Sequence, residues 1–139
     1  MTTTTDTSAS NEMTETERTA MIAHLNDQTR KGQHRSSKIV LTSSLHHMLR
    51  GEYKTEGQAM ANLILGQQEL LKAINTTPID AGDNPHSEND FGALDFKGER
   101  ILWKIDYYAD DGTFQWGSDA PWDASKTFRI LTIMLASDY

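Results

Sequence analysis

Residues 99–108 read Glu-Arg-Ile-Leu-Trp-Lys-Ile-Asp-Tyr-Tyr. In an extended chain successive side chains point to opposite faces, so Ile101, Trp103, Ile105 and Tyr107 share one side and Leu102, Lys104, Asp106 and Tyr108 the other. The first side reads as buried and the second as partly wet. Just upstream, Lys97-Gly98 is a two-residue link with Gly second, which predicts a tight hairpin to a strand over Phe91 to Phe96. Downstream, Lys126 to Ala136 holds Phe128, Ile130, Leu131, Ile133, Met134 and Leu135. Apolar residues on both faces predict a central strand covered on both sides. Asp110-Asp111-Gly112 predicts a turn into a short strand from Thr113 to Trp116, and Gly117 to Ser125 a loop around Pro121.

The first half reads as helical. Thr14-Glu-Thr-Glu17 has the Thr-x-x-Glu form of a capping box, and Met21, Ile22 and Leu25 follow at helical spacing, predicting a helix from Glu15 to Lys31. Lys38 to Thr42 is a short β-prone run. Ser43 to Arg50 fits a short helix closed by Gly51. Thr55 caps a longer helix from Glu56 to Asn75, with Met60, Leu63, Ile64, Leu71 and Ile74 on its stripe and Gly66 as its one weak interior position. Helices followed by a run of strands give an α+β class: one or two helices packed on an antiparallel four- to five-stranded sheet. Residues 1–13 read as a disordered polar tail and residues 14–139 as a single α+β domain.

Composition narrows function more than it names one. The 139 residues contain no cysteine, which excludes thiolate metal sites, disulfides and a cysteine nucleophile. No apolar run approaches the ~18 residues of a membrane span. The N-terminus lacks a basic segment followed by an apolar one, so a cytoplasmic protein is expected, with no membrane partner. Acids outnumber bases 20 to 13, a net charge of −7. Arg18 to Gln58 holds seven bases and three acids, whereas Asp80 to Asp123 holds eleven acids and three bases. Phosphate binding needs clustered cations, so nucleic acid is disfavoured. The acidic half leaves two readings: simple solubility, or a face for a protein partner with a basic surface. A homodimer stays open.

Three blocks carry a family likeness: Asn84-Pro-His-Ser-Glu-Asn-Asp-Phe-Gly92, Trp103-Lys-Ile-Asp-Tyr-Tyr108 and Arg129-Ile-Leu-Thr-Ile-Met-Leu-Ala-Ser-Asp-Tyr139. Together with Leu25-Asn-Asp27 and Val40-Leu-Thr42 they resemble an uncharacterised bacterial family known only as a domain of unknown function, DUF3768, over roughly Ile22 to Tyr139. The chain departs from that family in having Asn89 where the family has His, and Ser118-Asp-Ala-Pro121 where it has Ser-Pro-Asp-Pro. The resemblance implies a plasmid or prophage setting in alphaproteobacteria and supplies no reaction.

Candidate chemistry is sparse. His86, Glu88 and Asp90 alternate, so an extended segment would present all three to one side. With Asp106 as a fourth ligand they would make a divalent-metal site for a metal-assisted hydrolase. The competing reading is a turn, since Asn, Asp, Ser and Pro are turn-formers. His46-His47 point about 100° apart on a helix, which is awkward for one metal. No nucleophile elbow, P-loop or dinucleotide-binding pattern occurs, and no cofactor is expected. The remaining candidates form a binding set of aromatic residues bordered by acids: Asp83, Glu88, Asp90, Asp106, Tyr108, Trp116 and Trp122. Asp106, in an apolar strand, requires a cation such as Lys104 or Arg129. The function expected is a small non-catalytic interaction protein, with the hydrolase as the alternative.

Overall fold

The structure, a computed structural model, describes residues 12–139, and the expected polar tail over 1–13 lies almost wholly outside them. Among the described residues three α-helices lie on a four-stranded sheet. In chain order these are α1 (Glu15–Arg30), β1 (Ser37–Leu41), α2 (Ser43–Arg50), α3 (Glu56–Thr76), β2 (Phe91–Phe96), β3 (Glu99–Ala109) and β4 (Thr127–Leu135). The sheet order is β1-β4-β3-β2. β2–β3 and β3–β4 are antiparallel, but β1 pairs with β4 in parallel. The sheet is therefore mixed, and the all-antiparallel expectation is corrected. The cause is the route of the chain. It leaves β1 through α2 and α3, and the β2–β3 hairpin then brings it back to lay β4 beside β1. The expected one or two helices become three, because Ser43 to Arg50 forms a full element.

Local chemistry explains the ends. Thr14 accepts from the Glu17 amide at 3.1 Å and Glu17 accepts from the Thr14 amide at 3.2 Å, a complete capping box. Gly51 closes α2 at φ 61. At the β2–β3 hairpin both Lys97 (φ 51) and Gly98 (φ 81) are left-handed, as a two-residue turn between right-twisted strands demands.

The core lies on one side of the sheet. Ile101, Trp103, Ile105, Leu131 and Ile133 meet Leu45 and Leu49 of α2 and Leu63, Leu70 and Ile74 of α3. Gly66 belongs to this contact, since a Cβ there would stand 3.1 Å from Leu49 Cδ2. β4 is central, as expected, yet helices cover only one of its faces. The other face of the sheet carries Leu102, Lys104, Asp106 and Tyr108 of β3 and Phe128 and Ile130 of β4, and is roofed locally by Phe114 and Tyr139 through edge-on aromatic contacts. The predicted strand over Thr113 to Trp116 is absent. Phe114 takes φ 56, and only Gly117 bridges to Tyr108. A left-handed residue in its middle breaks the extended run.

Candidate functional site

The segment Asn84 to Asp90 is a turn, not an extended run. Ser87 and Asn89 both sit at φ 57. Asn84 Oδ1 accepts from the Asn89 amide at 3.0 Å, and Asn84 Nδ2 donates to Asn89 Oδ1 at 2.8 Å. Two left-handed residues rotate the intervening side chains, so the one-sided alternation of His86, Glu88 and Asp90 fails. His86 is exposed beside Glu15, Thr16 and Thr19 of α1. Glu88 Oε1 instead accepts from the Tyr107 hydroxyl at 2.9 Å. Asp90 uses its backbone, its carbonyl accepting from the Ile105 amide at 2.8 Å. Asp106 is on the opposite sheet face, 2.9 Å from Lys104 Nζ. Among the described residues no group of three or more His, Asp or Glu comes together to hold a metal. The hydrolase alternative therefore finds no assembled site.

Asp106 has found the cation expected of it, and this hydrogen bond raises the Lys104 pKa against a smaller opposing effect of burial. Arg129, the other partner considered, lies on the helix-covered face. It is wholly buried; its Nε donates to Asn26 Oδ1 at 2.8 Å and its Nη2 to the Pro121 carbonyl. Its guanidinium stacks on Tyr107, 5.0 Å from the ring centroid. Asn26 Nδ2 donates to the Tyr107 hydroxyl at 2.8 Å and to the Glu88 carbonyl at 2.9 Å. This hub joins α1, β3, β4 and the Asn84–Asp90 turn. Burial pushes the Tyr107 hydroxyl far above its ordinary value, with Glu88 adding to the shift and Asn26 opposing it, so the phenol stays neutral and is no base. Burial lowers the Arg129 pKa, opposed by Tyr107 and Glu88. The hub is a scaffold: its hydrogen bonds run between separate elements of the fold, while Arg129 Nη1 is buried without a partner among the described residues.

The binding set divides in space. Asp83 ends a short 3₁₀ turn (Ala81–Asp83), and Glu88 and Asp90 belong to the turn at α1. Trp122 is half-buried under α1, with the Arg18 guanidinium 4.1 Å from its ring. Tyr108, Asp106 and Trp116 remain together on the helix-free side and its rim. The β3–β4 loop there carries Asp110, Asp111, Asp119 and Asp123, and Trp116 is 67% exposed. Phe114 is held left-handed between Tyr108 and Phe128, with Lys38 Nζ 5.0 Å from its ring. A bulky residue at positive φ costs about 1–2 kcal/mol and persists only where its surroundings fix it. Asp111 accepts from the Thr113 amide and hydroxyl, and Asp123 from the Ser125 hydroxyl and amide. These bonds hold both carboxyls below their ordinary range, so the rim keeps its negative charge into mild acid.

Sequence reasoning missed the hub. Its signal was present as polar residues at core positions: Asn26, Thr29 and Arg30 interrupt the inward face of α1, and Arg129 occupies an inward position on β4. A sequence model of the family described as protein of unknown function (DUF3768) matches residues 54–138. The chain belongs to that family. The match begins at the approach to α3 and takes in every strand except β1. No curated protein and no solved structure matches the chain.

Proposed function

Starting from membership of this family, we propose that residues 14–139 act as one non-catalytic interaction domain that binds a basic protein surface through the rim of the β3–β4 loop. The observation that carries the reading is Trp116, a large aromatic side chain standing 67% exposed on a loop that also carries Asp110, Asp111, Asp119 and Asp123. An exposed aromatic anchor on an acidic loop suits a transient interface, and charge complementarity speeds its encounter. The fixed conformation of Phe114 limits the ordering that binding would require. Tyr108 and Asp106 extend the surface onto the sheet. The bacterial plasmid or prophage setting implied by the family resemblance, and a cytoplasmic location, suit a regulatory or anti-defence inhibitor.

The test is capture from a host lysate at low and high salt by the full chain, by the Trp116→Ala variant and by an Asp110→Lys, Asp111→Lys double variant. A protein retained at low salt, released at high salt and lost by both variants supports the reading. A protein retained equally by all three chains, or none at either salt, contradicts it.

A further inference from the structure

We infer that two copies of this chain pair through the free edge of β1 and the adjoining stripe of α3. Among the described residues β1 has a single neighbour, β4. The Arg129 amide donates to the Ser36 carbonyl at 2.9 Å and the Thr42 amide to the Ile133 carbonyl at 3.1 Å. In a parallel ladder the bonded residues alternate, so Ser36, Lys38, Val40 and Thr42 face β4. The amides and carbonyls of Ser37, Ile39 and Leu41 therefore point outward along an open edge. Such edges are usually blunted by charge, proline or a bulge. Here the strand reads Ser-Lys-Ile-Val-Leu, Ile39 and Val40 are each 36% exposed, and Lys38 is turned onto Phe114 across the sheet face.

Beside this edge α3 exposes Met60 (57%) and Ile64 (49%), with Gln67 and Leu71 continuing the row at helical spacing. Ile39, Leu41, Gln67 and Leu71 line one open apolar depression, so strand edge and helix stripe form a continuous surface. Gly57 to Gln68 contains no Asp, Glu, Lys or Arg, in a chain that is 24% charged. Depletion of charge with exposed methionine and isoleucine marks an interface core.

The occupant follows from the shape of the surface. An extended peptide would satisfy the edge amides but leave Met60 and Ile64 in water, because the helix layer stands about 10 Å above the sheet. A second copy covers both. A two-fold axis through Ile39 pairs each Ile39 with its counterpart and Ser37 with Leu41, the residues whose amides are free, and it brings the two α3 stripes together on the same side. A seam about 17 Å long and one strand plus one helix wide falls at or below the roughly 800 Å² per partner of a standard interface, so the expected affinity is micromolar.

Sedimentation equilibrium on the full chain, from micromolar loading to the order of 1 mM, tests the pairing. We expect a monomer–dimer equilibrium that Ile64→Lys weakens at least tenfold, with an unchanged unfolding curve because the site is exposed. Hydrogen exchange at the Ile39 and Leu41 amides should slow as concentration rises, while the Val40 amide, bonded to β4, should not change. A monomer throughout, leaving the edge to an extended peptide, overturns the inference. So does a dimer that Ile64→Lys leaves intact or in which Ile39 exchanges no more slowly. Asp110 and Phe114 of the rim reach Ser36 and Lys38 beside this seam, but Ile64→Lys changes α3 alone, so its effect on pairing is read apart from capture through Trp116 and Asp110.

Discussion

Arg129 of β4 donates through Nε to Asn26 Oδ1 of α1 at 2.8 Å, with both side chains wholly shielded from solvent. A buried cation is tolerated only where acceptors replace the water it has lost. Asn26 supplies one such acceptor and in turn ties down Tyr107 and Glu88. Asn26→Ala should therefore cost about 2–3 kcal/mol, the range for a lost buried hydrogen bond to a charged group, read as a lowered midpoint in urea. A loss under about 1 kcal/mol would mean that α1 is not held through this hub.

Gly92 lies opposite Trp103, and a Cβ on it would stand 2.5 Å from the indole ring. Trp103 is 2% exposed, and the Arg30 guanidinium lies 5.0 Å from its ring centroid, so the ring has no room to retreat. Gly92→Ala should destabilise by about 2–3 kcal/mol through overpacking, with near-ultraviolet circular dichroism reporting a displaced tryptophan. An unchanged melting curve would refute the packing described.

Lys97 is left-handed at the first hairpin position, where Asn is favoured. Its exposed pairing with Glu69 at 3.4 Å contributes little. Lys97→Asn should therefore stabilise by about 0.5–1 kcal/mol, visible as a raised thermal midpoint. A fall in the midpoint would show that the Glu69 contact outweighs the backbone strain.

His34 and Asp138 contribute to the acid side of the stability curve, beside Asp111 and Asp123. His34 has its pKa lowered by burial and then by the charge of Arg129, so the fold favours its neutral form. Its contribution is present above the ordinary value of 6.5 and is lost as pH falls below it. His34→Gln should flatten the stability profile between roughly pH 7 and 5. Asp138 accepts from the Ser44 and Thr42 hydroxyls and the Leu135 amide, and these bonds lower its pKa. Its contribution is present above 3.8 and is lost as pH falls through the lower folded value. Asp138→Asn should remove its share of that lower limb, with the shares of Asp111 and Asp123 kept, and leave the His34 region intact. A profile unaltered by either change would contradict both assignments.

The elements were legible where a short-range rule governs them. The Thr14–Glu17 capping box, Gly51 as a helix stop, the Lys97-Gly98 hairpin and the alternation of Ile101, Trp103 and Ile105 each depend on neighbours a few residues away. The parallel partner of β1 was not legible, because it depends on the route taken between Leu41 and Thr127. The proposed metal set rested on an extended Asn84–Asp90 segment, and the left-handed conformations of Ser87 and Asn89 undo that premise. Strand alternation offered Lys104 as one of two partners for Asp106, beside Arg129, and the structure selects Lys104. The Asn26–Arg129 pair was not legible, since its members are 103 residues apart in sequence. The rim around Trp116 was half legible: its acids and aromatics are contiguous, but the separation of Trp122 beneath α1 from Trp116 in solvent is a tertiary fact.

Titration of the full chain with oligolysine, followed by tryptophan fluorescence, asks whether the β3–β4 rim receives a cationic surface as proposed. Binding at low salt should change the emission, weaken steeply as salt is raised, and lose its signal in Trp116→Phe while Trp103 and Trp122 stay silent. A signal that survives Trp116→Phe, or binding indifferent to salt, would contradict the account.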